Sequence, residues 1–152
     1  MSDFDVLKEV VEMLETSRLD YWLGRGRFRG FERDGRFLED KSDIDFHIQR
    51  KDVQKLRNLL PVFKEMRYEI YQPIQGHKIS ITKDDPPRKE WSVDFMVLKA
   101  DSAKRGFLYH EMIIRPSRPS CPARVFGKRR VEIQGVSVRV PEAEYLEYVP
   151  SH

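Results

Sequence analysis

The sequence predicts an α+β (α/β) domain, a small mixed β-sheet flanked by helices, and three observations carry that prediction. Some segments repeat apolar residues at helical spacing, others alternate apolar and polar residues, and the two kinds interleave along the chain. At 152 residues the chain is most simply one domain, residues 1–152, long enough to enclose a hydrophobic core.

Phe4, Leu7, Val10, Val11 and Leu14 recur at helical spacing, so residues 3–17 form an amphipathic helix. LDYWL (19–23) is a short strand running into GRGRFRGFERDG, a glycine- and arginine-rich turn from which a second helix opens near Arg27. In KSDIDFHI (41–48), alternation places Ile44, Phe46 and Ile48 on one strand face and Asp43, Asp45 and His47 on the other. KDVQKLRNLLPVF has helical period through Val53, Leu56, Leu59 and Leu60, interrupted or bent at Pro61. MRYEIYQPI and GHKISITK read as strands turning at Gln75 and Gly76, DDPPRK as a loop, and WSVDFMVLK (91–99) and GFLYHEMII as further strands. Three prolines between 116 and 122 exclude regular structure from RPSRPSCPARVFGKRR. RRVEIQGVSVRVP is a hairpin around Gln134 and Gly135, and Pro141 opens a last helix in PEAEYLEY.

Composition narrows the function classes. Hydrophobic residues at 39% with charged residues at 35% fit a soluble globular protein, not a disordered or membrane-embedded one. No apolar run approaches the roughly 20 residues that span a bilayer, and MSDFDVLKEV is acidic and amphipathic, unlike a signal peptide. Cys121 is the single cysteine, so no internal disulfide is possible and a reducing cytoplasm is the expected location. With 28 basic and 25 acidic residues the net charge of +3 does not single out a nucleic-acid partner.

The candidate chemistry lies in the acidic strands. Carboxylates sharing a short stretch of sheet repel unless a cation, a proton or open water relieves them. WSVDFMVLK repeats the pattern, with Val93, Phe95 and Val97 pointing one way and Ser92, Asp94 and Met96 the other. If the two strands are neighbours, Asp94 joins Asp43 and Asp45 in a three-carboxylate cluster. Such hard oxygen donors suit Mg²⁺ or Mn²⁺, with substrate phosphates completing the shell. That is the chemistry of phosphoryl and nucleotidyl transfer. Upstream, Gly24, Gly26 and Gly30 let backbone approach a bulky anion, and a helix starting near Arg27 would face it with free N–H groups. Arg25, Arg27, Arg29 and Arg33 add charge-assisted hydrogen bonds to phosphate, or form a solvated loop.

YWLGRGRFRGFERDGRFLEDKSDIDFHI (21–48) resembles the LicD/fukutin-type branch of the nucleotidyltransferase-fold superfamily. It aligns without gaps to the family's Tyr-Trp-Leu, Gly-Gly-Thr-Leu-Leu-Gly, Arg-His-Gly, Phe-Ile and Asp-Ile-Asp. On that register Gly26, Gly30, Arg33, Gly35, Phe37, Asp43 and Asp45 fall on family positions, while Arg25 stands for a glycine and Arg27 for the small hydroxyl residue. SVDFMVL resembles the family's third-acid strand, placing Asp94, and VEIQGVSVRVPEAEYLEY resembles its carboxy-terminal segment. SDID is also the spelling of minimal nucleotidyltransferases, antibiotic adenylyltransferases included. The resemblance implies a nucleotidyltransferase fold and a Mg²⁺-dependent reaction. Its relatives pass a phospho-alcohol from a CDP-linked donor to a sugar hydroxyl; the rival is nucleotidyl transfer from an NTP to an antibiotic, a protein or an RNA, or a non-catalytic module of the same fold. Asp43 and Asp45 are expected on the metal, Asp94 as a further ligand or base, and Gly26, Arg27 and Gly30 at the donor phosphates, with Arg25 and Arg33 beside them.

Remaining residues carry weaker signals. His47 orients a carboxylate or phosphate, or is an ordinary paired surface histidine. Arg115, Arg118, Arg124, Lys128, Arg129 and Arg130 grip an anionic substrate, or are solvated loop charge. Trp22 and Trp91 read as core, His77 as structural or exposed, and Cys121 has no base beside it in sequence.

Overall fold

A computed structural model describes residues 2–39, 42–71, 78–83, 92–110 and 120–148. Helix α1 (Asp3–Thr16) begins with a capping box: the Ser2 hydroxyl accepts from the Asp5 N–H, and the Asp5 carboxylate accepts from the Ser2 N–H. Its face of Val6, Leu7, Val10, Val11 and Leu14 is buried. Strand β1 (Tyr21–Gly24) passes directly into α2 (Arg25–Asp34), which Gly35 closes in the left-handed conformation at φ 70°.

Strand β2 (Ile44–Gln49) pairs antiparallel with β1, and a 3₁₀ turn then leads into α3 (Val53–Glu65). The interruption expected at Pro61 does not occur. Leu56, Leu59, Leu60 and Phe63 bury one stripe on both sides of the proline, and that burial outweighs one missing backbone hydrogen bond.

The sheet runs β1, β2, β5, β4, β3, where β3 is Tyr68–Tyr71, β4 is Lys78–Lys83 and β5 is Val93–Ala100. Strand β6 (Phe107–His110) adds to β5, and the two-residue β7 (Cys121–Pro122) adds to β6. Only β2 and β5 are parallel among the described strand pairs, so the sheet is mixed, as expected. Their apolar faces align, Ile44 with Val93, Phe46 with Phe95 and Ile48 with Val97. The Phe46 and Phe95 rings stack at 5.7 Å, and Phe63 of α3 covers Phe95 at 6.5 Å.

A hairpin of β8 (Arg130–Ile133) and β9 (Val136–Arg139) turns through Gln134 and Gly135 at φ 48° and 84°, the signature of a tight two-residue loop. Two expectations are corrected here. The segment after the prolines contains a short edge strand and a 3₁₀ turn at Ala123–Val125, since a proline fits an edge where no N–H is needed. The last helix is 3₁₀, Ala143–Tyr148; six residues anchored by buried Tyr145 are too short to propagate an α-helix. The turn at Gln75 and Gly76, the DDPPRK loop, Trp91, His77, Arg115 and Arg118 lie outside the described residues. Among the described residues no helix is long and apolar enough to cross a membrane.

Candidate active site

Because β2 and β5 are parallel neighbours, Asp45 stands directly opposite Asp94. Adjacent strands lie about 4.8 Å apart, so the two carboxylates emerge side by side on one face. Asp94 is buried and Asp45 half-buried. The Ser92 hydroxyl donates to Asp94 Oδ1 at 2.6 Å, and Lys78 Nζ approaches Oδ2 at 3.6 Å. Burial first, and then the facing charge of Asp94, pushes the Asp45 carboxyl up to about 7; Asp43 adds to the rise, while Arg25 and Lys78 oppose it.

Asp43 sits one residue ahead of β2, exposed, with Oδ1 accepting the Ser92 N–H at 2.8 Å. Among the described residues no group of three or more metal-ligating side chains converges. The expected three-carboxylate cluster is therefore a facing pair, Asp45 and Asp94, with Asp43 at the rim, because the backbone at the entrance of β5 engages its carboxylate. The donors fit a hard divalent cation: they are carboxylate oxygens, and a cation between Asp45 and Asp94 would relieve the repulsion that raises Asp45.

The glycine-rich junction serves several ends. Gly24 pairs with Asp45 across β1 and β2, but its missing side chain makes room for a neighbour rather than an anion. A Cβ there would lie 2.2 Å from His47 Nε2. Gly26 is exposed in the first turn of α2 with open space around it, so a ligand can reach the backbone there. Gly30 is also open, about 6 Å along the helix from Gly26 by the usual rise per residue.

Arg25 has φ 51°, a left-handed conformation that suits glycine, and the resembling family has glycine at this position. Its Nε is buried with no hydrogen-bond partner among the described residues, and its charge acts on Asp45.

Arg27 is a correction. Its guanidinium is buried, donating to Asp3 Oδ2 at 2.7 Å and to the Leu38 and Ser42 carbonyls at 2.6 Å each, and it forms an ion pair with Asp3. It therefore clamps the approach to β2 onto the start of α1, where Glu39 also accepts from the Asp3 and Phe4 N–H groups. Arg27 sets where Asp43 enters the sheet and has no face left for phosphate. Arg33 is corrected too: it is exposed, paired with Asp34 at 2.8 Å, and about 12 Å along α2 from Arg25 by the helical rise.

His47 is buried, not on the surface, and its Nε2 lies 2.7 Å from the Tyr145 hydroxyl. Sequence reasoning missed Tyr145 and Lys78. The first falls in the stretch resembling the family's carboxy-terminal segment; the second shares a period-two face with Ser80 and Thr82, informative only once β4 is known to flank β5.

The basic stretch is largely neutralised within the fold. Arg129 pairs with Glu32 at 2.6 Å, Arg130 with Glu15 at 2.5 Å, and Arg124 with Glu144, while Lys128 is exposed. Trp22 is core, donating Nε1–H to the Gly127 carbonyl at 2.8 Å. Burial pushes the Cys121 thiol up to about 12, so it is no nucleophile at neutral pH.

No family model matches the chain. An uncharacterized protein of Rickettsia prowazekii (strain Madrid E) is 22% identical over 119 residues, 78% of this chain and 41% of that protein. An uncharacterized protein of Rickettsia typhi (strain ATCC VR-144 / Wilmington) is 27% identical over 70 residues, 46% of this chain and 23% of that protein. The chain thus spans less than half the length of these curated relatives. Among solved structures, the lincosamide antibiotic adenylyltransferase LnuA with lincomycin bound superposes with a TM-score of 0.64 at 12% identity, covering 99% of this chain and 87% of that one. By its sheet, its acidic strand pair and this superposition, the chain has the nucleotidyltransferase fold.

Proposed function

We propose that this protein is a Mg²⁺- or Mn²⁺-dependent transferase that moves a phosphorus-containing group from a nucleotide donor to a hydroxyl acceptor in the cytoplasm. The observation that supports it most is Asp45 facing Asp94 beside the amino-terminal end of α2. Asp45 and Asp94 are the inner donors to the cation, and Asp43, one oxygen still uncommitted to Ser92, is the rim carboxylate that ligates or accepts the acceptor's proton. The cation, when bound, neutralises phosphate charge and activates the attacking oxygen. Donor phosphates lie over the exposed backbone at Gly26, at the positive end of the α2 dipole, with the Arg25 guanidinium beside them.

Two donor classes follow. The LicD-like resemblance favours a CDP-linked alcohol passed to a glycan hydroxyl. The structural likeness to LnuA favours an NTP whose nucleotidyl group is passed to a small hydroxyl compound. Thermal melts with Mg²⁺ plus CDP-choline, CTP or ATP separate them: a shift with CDP-choline supports the first, a shift with ATP the second. No shift with any nucleotide would contradict transfer and leave a binding module of this fold.

A further inference from the structure

Strand β4 carries a lysine at each end, and the fold treats the two differently. Lys83 is locked. Its Nζ meets Glu9 Oε1 at 3.1 Å, donates to the Met66 carbonyl and lies 4.5 Å over the Tyr68 ring, and its side chain is 9% exposed. Lys78 Nζ stands 3.6 Å from Asp94 Oδ2, beyond the roughly 3.2 Å of a well-formed N–H···O hydrogen bond, and its side chain is 30% exposed. A partly solvated head at that distance is attracted to the carboxylate without being fixed to it. The register explains the reach: Ser80 stands opposite Asp94 and Lys78 opposite Met96, so Lys78 is the diagonal neighbour of Asp94 on the same face. Asp45 flanks Asp94 from the other side, on β2. The Ser92 hydroxyl engages Asp94 Oδ1 at 2.6 Å, so Oδ2, the oxygen that Lys78 approaches, is the freer one for a cation.

We propose that Lys78 is a tethered counter-charge that competes with the divalent cation for Asp94 Oδ2 and, on yielding that oxygen, turns to the donor phosphate. An ammonium is a compact point charge on a flexible stem, so it can exchange one anionic partner for another without the strand moving. Beside Asp94 it opposes the approach of a second positive charge, and the cation alone is therefore held weakly. A nucleotide arriving with the cation gives the displaced ammonium a new anion, so cation and nucleotide each strengthen the binding of the other. Lys83 has no such part, because its carboxylate, carbonyl and ring contacts tie it into the core.

This inference rests on the transferase reading, and Mn²⁺ titrations of the full chain followed by electron paramagnetic resonance separate the two. Without nucleotide, Lys78→Met, which keeps the length and removes the charge, should bind Mn²⁺ about tenfold more tightly than the native protein. Lys78→Arg, which keeps the charge, should bind it no more tightly than the native protein. Circular dichroism checks the fold; should the methionine variant not fold, Lys78→Gln repeats the test with the same result expected. With Mn²⁺ saturating, Lys78→Met should bind CDP-choline, CTP or ATP, whichever the native protein takes, about tenfold more weakly. A variant that tightens one ligand and loosens the other is not explained by a merely structural role. Equal or weaker Mn²⁺ binding in Lys78→Met overturns the competition while the native protein's own Mn²⁺ binding leaves the transferase reading standing. Unchanged nucleotide affinity overturns the turn to phosphate. If neither the native protein nor any variant takes up Mn²⁺, the transferase reading falls and the competition falls with it.

Discussion

The junction of β1 with α2 and the region from residue 124 to 139 are both rich in arginine, yet they use it oppositely. In the second region Arg124, Arg129, Arg130 and Arg139 each meet an acid: Glu144, Glu32, Glu15 and Asp20. At the junction Arg27 does the same with Asp3, but Arg25, two residues earlier, turns its charge on Asp45 of the carboxylate pair, its buried Nε without a hydrogen-bond partner among the described residues. Charge density along a chain says little about what is available to a ligand. The partner supplied by the rest of the fold decides it.

The comparison is broken most severely at the carboxylates. Replacing Asp45 or Asp94 by asparagine should lower turnover by roughly a thousandfold or more, the scale of several kcal/mol of lost charge stabilisation, with the circular dichroism spectrum unchanged. Retained turnover would remove both from the site.

Arg27→Met is next. It removes the buried guanidinium that pairs with Asp3, so the denaturation midpoint should fall by an amount corresponding to about 3–5 kcal/mol. Unchanged stability with lost nucleotide binding would return Arg27 to the phosphate. Gly24→Ala should cost about 1–3 kcal/mol in the same assay, because the new Cβ meets the His47 ring at 2.2 Å and that ring is held by Tyr145. An alanine with native stability would mean that His47 is free to move.

The remaining effect is a pH slope, read in metal-free buffer. Asp45 has a folded value of about 7 against 3.8 for the free group, so the folded state holds the extra proton between those values. Its contribution to stability is fully present below pH 3.8 and is lost as pH rises through about 7. In metal-free buffer this should appear as a melting temperature that declines toward neutral pH relative to Asp45→Asn, read by melts of both proteins at each pH. Parallel curves would place Asp45 in contact with water rather than opposite Asp94.

Much of this was legible in the residues. Period-two alternation in KSDIDFHI and WSVDFMVLK put the aspartates on polar faces, and the structure pairs those strands in the register that sets Asp45 against Asp94. What alternation does not encode is which strand lies beside which, so Lys78 next to Asp94 was invisible. Nor does it encode burial at a junction. Arg27 reads as a phosphate ligand until Asp3, 24 residues upstream, is found against it. Tyr145 is 98 residues from His47, and no local pattern links a tyrosine in a short terminal helix to a histidine in a central strand. Gly24 reads as space for an anion because glycine advertises a close approach without saying by what.

Binding of Mn²⁺ to the metal-free protein, followed by electron paramagnetic resonance near pH 8, tests the central claim most directly, since it requires neither donor nor acceptor. Saturable loss of the free Mn²⁺ signal in the native protein, abolished in the Asp45→Asn, Asp94→Asn double variant, is the predicted result. A native protein that leaves the Mn²⁺ signal unchanged, or a double variant that binds as the native chain does, would contradict it.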